Sequence, residues 1–482
     1  MNIADLSPKE VFYYFSQIAS IPHGSGNTGQ IADYCISFAD EHNLKSYKDN
    51  AGNVMIFADG TRGYEKSAPV ILQGHLDMVC DKKIGSDFNF ETDSLKIRTD
   101  GNYVWAEDTT LGGDDGIAIA YILAILDSKN IPHPPIEALF TVDEEIGMIG
   151  ARELDTRFLR SKRLINLDSE VEGVLTTSCA GGVRAHCDIP LQYTNTDDDM
   201  VTIKIMLSGL KGGHSGVDIN KHRKNALKIM GRLLEFLGEK SDILLADVLG
   251  GRKANAIPKS AQAVVCVNKS DEITVLQSVM EFYNILKMEL KTVEPDIKLT
   301  AEIIEKAEKV TDKNSTRKLI FSLMQIPNGI QTMSPDIPDM VQTSLNLGIA
   351  SIEKDVFMMS FLIRSNASTG KQTTIQKLNS FIDYLGGKVI FTSDYPAWEY
   401  RIVSELRDVM INTYNEVYAD KPVVASIHAG LECGILSGKI SGIDMISIGP
   451  NLENVHTPDE RMDVASVERC WNYLLKVLKN LR

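Results

Sequence analysis

Long apolar runs are missing from this 482-residue chain. None approaches the roughly 18 residues that a membrane-crossing helix needs, so no membrane span is expected. The opening residues, MNIADLSPKEVFYYF, lack the basic start and apolar core of a secretory signal. Cysteine is sparse: seven residues, an odd number without short paired spacings. That usage argues against a disulfide framework and reads as reduced thiols of a cytoplasmic protein. Phosphate-binding signatures are absent too. SGNTG at 25–29 and GLKGGHSG are Gly/Ser-rich, yet no GxxxxGK[ST] occurs and no GxGxxG follows a strand, which argues against a nucleotide or dinucleotide cofactor. Basic charge is also short. Lys+Arg total 50 against Asp+Glu 65, a formal net charge of -15, so a nucleic-acid backbone is not expected as the main ligand.

What is present describes an ordinary globular chain, 43% apolar, and too long for one core; two domains are expected. The first part alternates helices and short buried strands. Ser7 and Pro8 cap a helix over 6–20, another helix spans 28–42, and PVILQGHLDMV opens from a buried strand into a loop at Gly74. Helix 117–126 leads through Pro132, Pro134 and Pro135 to strand 136–142, and RLINLD ends a strand at Asp168. Acidic residues then follow buried strands, where open α/β sheets bind their ligands. From about 185 the character changes to strands alternating with amphipathic helices, one of them at 221–241. The α/β pattern returns near 391, with a helix over 396–418. The expected architecture is therefore an α/β catalytic domain with a mixed central sheet flanked by helices. It is built from residues 1–184 and 391–482 and interrupted by a smaller α+β domain at 185–390.

Oxygen and nitrogen donors gather at these strand ends and loops: His75 and Asp77 in GHLDMV, Asp114 in GGDDG, Glu144 and Glu145 in VDEEIG, Asp168 in NLDSE, and His456 in NVHTPDE. Imidazole and carboxylate without a cysteine cluster suit zinc, cobalt or manganese. Each has an ordinary reading when taken alone. His75 reads as a core or turn histidine, Glu144–Glu145 as solvated surface, and Asp114–Asp115 as a turn beside two glycines. Their joint placement after hydrophobic strands is what solubility does not explain. Cys80, close to His75, reads as a packing residue.

These blocks, in this order, resemble the dizinc metallopeptidases that include carboxypeptidase G2, aminoacylase and the tripeptidases. GGHSGVDI, GRKANAIP, SLNLG, IRSN and HAGLECG narrow the resemblance to the aminoacyl-histidine (cytosol non-specific) dipeptidase branch. The resemblance implies two Zn2+ per subunit, with Co2+ or Mn2+ as substitutes. His75 and Asp168 would hold one ion, Glu145 and His456 the other, and Asp114 both. Asp115 would be a neighbour and not a ligand. Asp77 would orient the His75 ring, Glu144 would act as general base, and His214 would steady the oxyanion in the partner subunit of a homodimer formed through a lid and dimerisation domain. Asn255, Arg364, His428 and Glu432 would meet the ends of an unblocked dipeptide such as β-alanyl-histidine. HAGLECG departs from the GGTD-type turn of carboxypeptidase-like members, which weakens any transfer of their specificity. An aminoacylase or carboxypeptidase acting on N-acylated amino acids is the alternative within the family.

Overall fold

Strands Val70–His75 and Ile136–Thr141 are buried along their whole length, as strands are when helices cover both faces of a parallel sheet. The computed structural model, which describes residues 3–482, pairs them in parallel within an eight-stranded mixed sheet. The order is Lys45–Lys48, Val54–Ala58, Ile136–Thr141, Val70–His75, Arg163–Asn166, Asp444–Ser447, Val174–Cys179, Val423–Ile427. Helix Gly113–Asp127 is apolar on all sides and buried from Asp115 to Leu126. Strand Val70–His75 lies against it so closely that a Cβ on Gly74 would stand 2.6 Å from Ala118 Cβ and from Asp115 Oδ2. Helix Val464–Asn480 closes the same core, with Trp471 stacked on Tyr121 at 5.8 Å.

These elements form one unit made of 1–179, 400–426 and 431–482; residues 180–399 and 427–430 form the other. The second unit has a nine-stranded sheet and its own apolar core, covered by helices Ala226–Gly238, Glu272–Leu290, Lys313–Gln325 and Ser368–Tyr384. Strands Gly181–Pro190 and Lys388–Tyr395 pair with each other inside that sheet. The division therefore falls outside both strands, whereas the composition changes near 185 and 390 lie within them. No helix among the described residues is long and apolar enough to cross a membrane.

Local chemistry moves several expected boundaries. Helix Lys9–Ala19 begins after Pro8, which itself stands at the N-cap where Ser7 was expected. Strand Val70–His75 runs through Gly74 rather than opening there. The helix expected over 221–241 starts at Ala226, because Asn225 accepts the Leu227 N–H as its cap. That expected over 396–418 starts at Glu405, where Ser404 accepts from Arg407. In both cases the side chain that caps the first free N–H groups decides the start.

Candidate metal centre

Three neighbouring parallel strands deliver the first donors. His75 ends one, Glu144 and Glu145 follow the second, and Asp168 follows the third. Asp114 stands in the first turn of helix Gly113–Asp127. There Asp114 and Asp115 leave helical angles and the peptide bond between them is cis. His456 comes from a loop and holds a left-handed backbone, φ 63°.

Asp114 divides its two oxygens between the two histidines. Oδ1 lies 3.1 Å from His75 Nε2, and Oδ2 lies 3.1 Å from His456 Nε2. His75 Nε2 is also 3.6 Å from Asp168 Oδ1, and His456 Nε2 is 2.8 Å from Glu145 Oε1. Among the described residues, two triads bring donor atoms within 4.8 Å of one another: His75, Asp114 and Glu145, and His75, Asp115 and Asp168. Asp115 differs from the rest, because its Oδ2 accepts the main-chain N–H of His75 at 3.0 Å. That bond commits its carboxyl to the backbone.

Two observations test whether this set fits metal ions. His75 Nδ1 donates to the Asp77 carbonyl at 2.9 Å, so a neutral ring turns a bare Nε2 toward carboxylate oxygens. Acceptors facing acceptors need a cation between them. Glu145 Oε1 is buried without a hydrogen bond although His456 Nε2 is 2.8 Å away. Close but unaligned atoms are what neighbouring ligands of one ion present: bonds of about 2.05 Å in a tetrahedron put donors roughly 3.3 Å apart. The set fits.

Electrostatics agree. When the two rings are instead protonated, His456 and His75 donate to Asp114, and although burial works against its charge they hold its carboxyl well below the usual range. In that protonated state the nearby carboxylates of Asp114 and Glu145 raise His456 to about 11. Burial pushes Asp168 up to about 7 against the pull of His75. Burial also raises Glu144 well above an ordinary carboxyl; His75 opposes this, while Asp168, Glu432 and Glu145 add to it.

One support, Glu460, escaped the sequence reading, and Asp77 holds more than the His75 ring. The Asp77 carboxylate is 3.4 Å from His75 Nδ1, but its stronger contacts go elsewhere. It accepts from Ser25 Oγ at 2.8 Å and from the N–H groups of Glu144 at 2.9 Å and Glu145 at 3.3 Å. It therefore sets the turn that presents both glutamates. Glu460, in the same HTPDE block as His456, is buried and accepts N–H groups from Leu111, Gly112, Gly113 and Asp114 at 2.8–3.4 Å. It gathers the backbone that carries Asp114. Glu432 is fully buried; its Oε2 accepts from Gln73 at 2.7 Å and Thr141 at 2.6 Å, and its Oε1 has no hydrogen bond. Burial pushes it up to about 7.

His214, Asn255, Arg364 and His428 belong to the second unit. Arg364 is buried, donates to Tyr395 Oη at 3.1 Å, and has Nη2 3.3 Å from His214 Nε2. It makes no ion pair among the described residues, and its Nε has no hydrogen bond. His428 Nε2 shares a hydrogen bond with Ser344 at 2.8 Å, and its Nδ1 faces Asn366 Oδ1 at 3.1 Å. Burial, then Arg364, lowers it to about 3. Half-buried Asn255 engages through its carbonyl, which accepts the Ser215 N–H at 2.9 Å.

Known proteins place this geometry. Residues 71–480 match peptidase family M20/M25/M40. The chain is 36% identical to the cytosol non-specific dipeptidase of Escherichia coli K12, over all of this chain and 99% of that one. It superimposes on the aminoacylhistidine dipeptidase of Vibrio alginolyticus with a TM-score of 0.95 at 35% identity, covering 99% and 98% of the two chains. The aminopeptidase PepT of Bacillus cereus shares the fold, with a TM-score of 0.57 at 13% identity and 99% of each chain covered. On the full-length match and the span of the family model, this chain belongs to peptidase family M20/M25/M40.

Proposed function

We propose that the protein is a two-zinc dipeptidase of the cytosol that cleaves unblocked dipeptides, including those ending in histidine. The division of the Asp114 oxygens between His75 and His456 carries this reading. One ion would be held by His75, Asp114 and Asp168, the other by His456, Asp114 and Glu145, with Asp115 tied to the backbone. Once bound, such ions polarise a carbonyl and make water acidic enough to lose a proton near neutral pH.

The remaining roles fall to side chains. Glu144, raised by burial, takes the proton from attacking water and returns it to the departing amine nitrogen. Two cations among the carboxylates oppose that rise and keep it able to accept. His214 Nδ1 is 3.3 Å from the N–H groups of Gly216 and Val217, which makes it the acceptor and leaves the proton on Nε2. With Arg364 Nη2, itself a donor, 3.3 Å from Nε2, Nε2–H becomes available to the developing oxyanion once the guanidinium engages the substrate, in the partner subunit of a homodimer. Buried Arg364, without an ion pair among the described residues, suits the substrate carboxylate, with Asn255 and His428 as further polar contacts. Glu432, with Oε1 buried and unbonded, suits the α-ammonium.

A substrate panel with metal-reconstituted enzyme tests the reading. Free dipeptides should turn over, N-acetylated analogues and tripeptides should not, and a chelator should abolish activity. Faster cleavage of the N-acetylated set would point instead to an aminoacylase.

A further inference from the structure

The segment 211–224 carries His214. It begins just after strand Met200–Ser208 and stops before Asn225, the cap of helix Ala226–Gly238. Its tip has bonds of its own: Asp218 accepts the His214 N–H at 2.8 Å, and Gly213–His214 pairs with Ala256–Ile257. Both stems meet a single distant group. Glu294 Oε2 accepts the main-chain N–H of Lys211 at 2.8 Å, and Oε1 accepts that of Lys224 at 2.9 Å.

This carboxylate has no exposed surface (0%), so water has no ready access to replace it. It stands just past helix Glu272–Leu290, its own N–H bonded to the Leu290 carbonyl at 2.8 Å. The first stem runs tight against the same turn. Gly209 holds φ 80°, and a Cβ there would stand 2.0 Å from the Asp296 carbonyl oxygen. One rigid acidic group thus fixes where the loop leaves the sheet and where it enters the helix.

We propose that Glu294 is a positioning residue for His214, closing the base of its loop so that the imidazole is held where the oxyanion forms. This rests on the reading of His214 as the oxyanion donor. A displacement of about 1 Å can cost on the order of 100-fold in rate, so a small shift at the stems suffices.

Glu294→Gln in the full-length, metal-loaded enzyme tests it, because an amide puts an NH2 group against one of the two N–H donors. Expected are a kcat for a free dipeptide about 10–100-fold lower, an almost unchanged KM, full metal content, and faster hydrogen exchange of the 211–224 amides. The double variant H214A/E294Q should be no slower than H214A alone, since groups acting through one another do not add. Losses that multiply in the double variant overturn the proposal, as does an unchanged kcat in E294Q while H214A is slow. Full turnover in H214A would instead defeat the oxyanion reading; exchange at 211–224 then decides alone, and unchanged protection overturns the clasp. If E294Q folds poorly, Glu294→Asp, one methylene shorter and able to reach one stem only, is read the same way.

Discussion

Half-buried Glu144 and buried Glu460 both have carboxyls raised chiefly by desolvation, yet their partners assign them opposite tasks. The Glu144 backbone is held by Asp77, which leaves its carboxyl for proton transfer. Both Glu460 oxygens are spent on the main chain of 111–114. Glu144→Gln should therefore keep its metal and lose kcat by about 10²-fold or more. Glu460→Gln, with one acceptor oxygen in place of two, should do the reverse: metal affinity falls about 10–100-fold, and kcat recovers at saturating metal. Metal titration beside steady-state kinetics separates the two. Full activity without Glu144, or unchanged affinity without Glu460, would refute the respective assignment.

Between elements, the closest fit that matters to the site is strand Val70–His75 against helix Gly113–Asp127. Each carries a proposed ligand, and Gly74 lets them touch. Gly74→Ala would drive a methyl group into Ala118 and into the Asp115 carboxyl that holds the His75 N–H. Overpacking of this kind costs about 1–3 kcal/mol, which urea denaturation would register, and metal content should fall with it. A stable, fully loaded Gly74→Ala enzyme would show that the pair can slide apart without harm to the site. Elements of this core were legible from sequence because buried strands read as short apolar runs. Helix starts were less so: Asn225 and Ser404 cap by geometry that runs of residue types only suggest.

Across the whole chain, carboxylates and imidazoles in motif blocks hundreds of residues apart marked candidate donors, and the resemblance of those blocks, in order, to a known family implied their roles. The groups that hold those blocks, Asp77, Glu460 and Glu294, were not legible in these roles, since backbone N–H groups are their chief partners and leave no mark in sequence. Acids in and around the site make stability depend on metal and pH together. In the metal-free protein Glu432, Glu460 and Asp168 are raised to about 7 by burial. A carboxyl raised on folding binds more protons folded than unfolded, so its contribution is full below about pH 4 and is lost as pH climbs to about 7. His456, raised to about 11, carries the same sign onward: its contribution is full below its unfolded value near 6.5 and is lost as pH rises toward 11. The metal-free form should therefore weaken steadily from pH 6 to pH 8. Cations displace those protons and bind more tightly as pH rises, and they stabilise only the folded chain. The Tm lost on adding a chelator should accordingly be larger at pH 8 than at pH 6. A loss equal at both values, or larger at pH 6, would mean that Asp168 and His456 do not exchange their protons for metal.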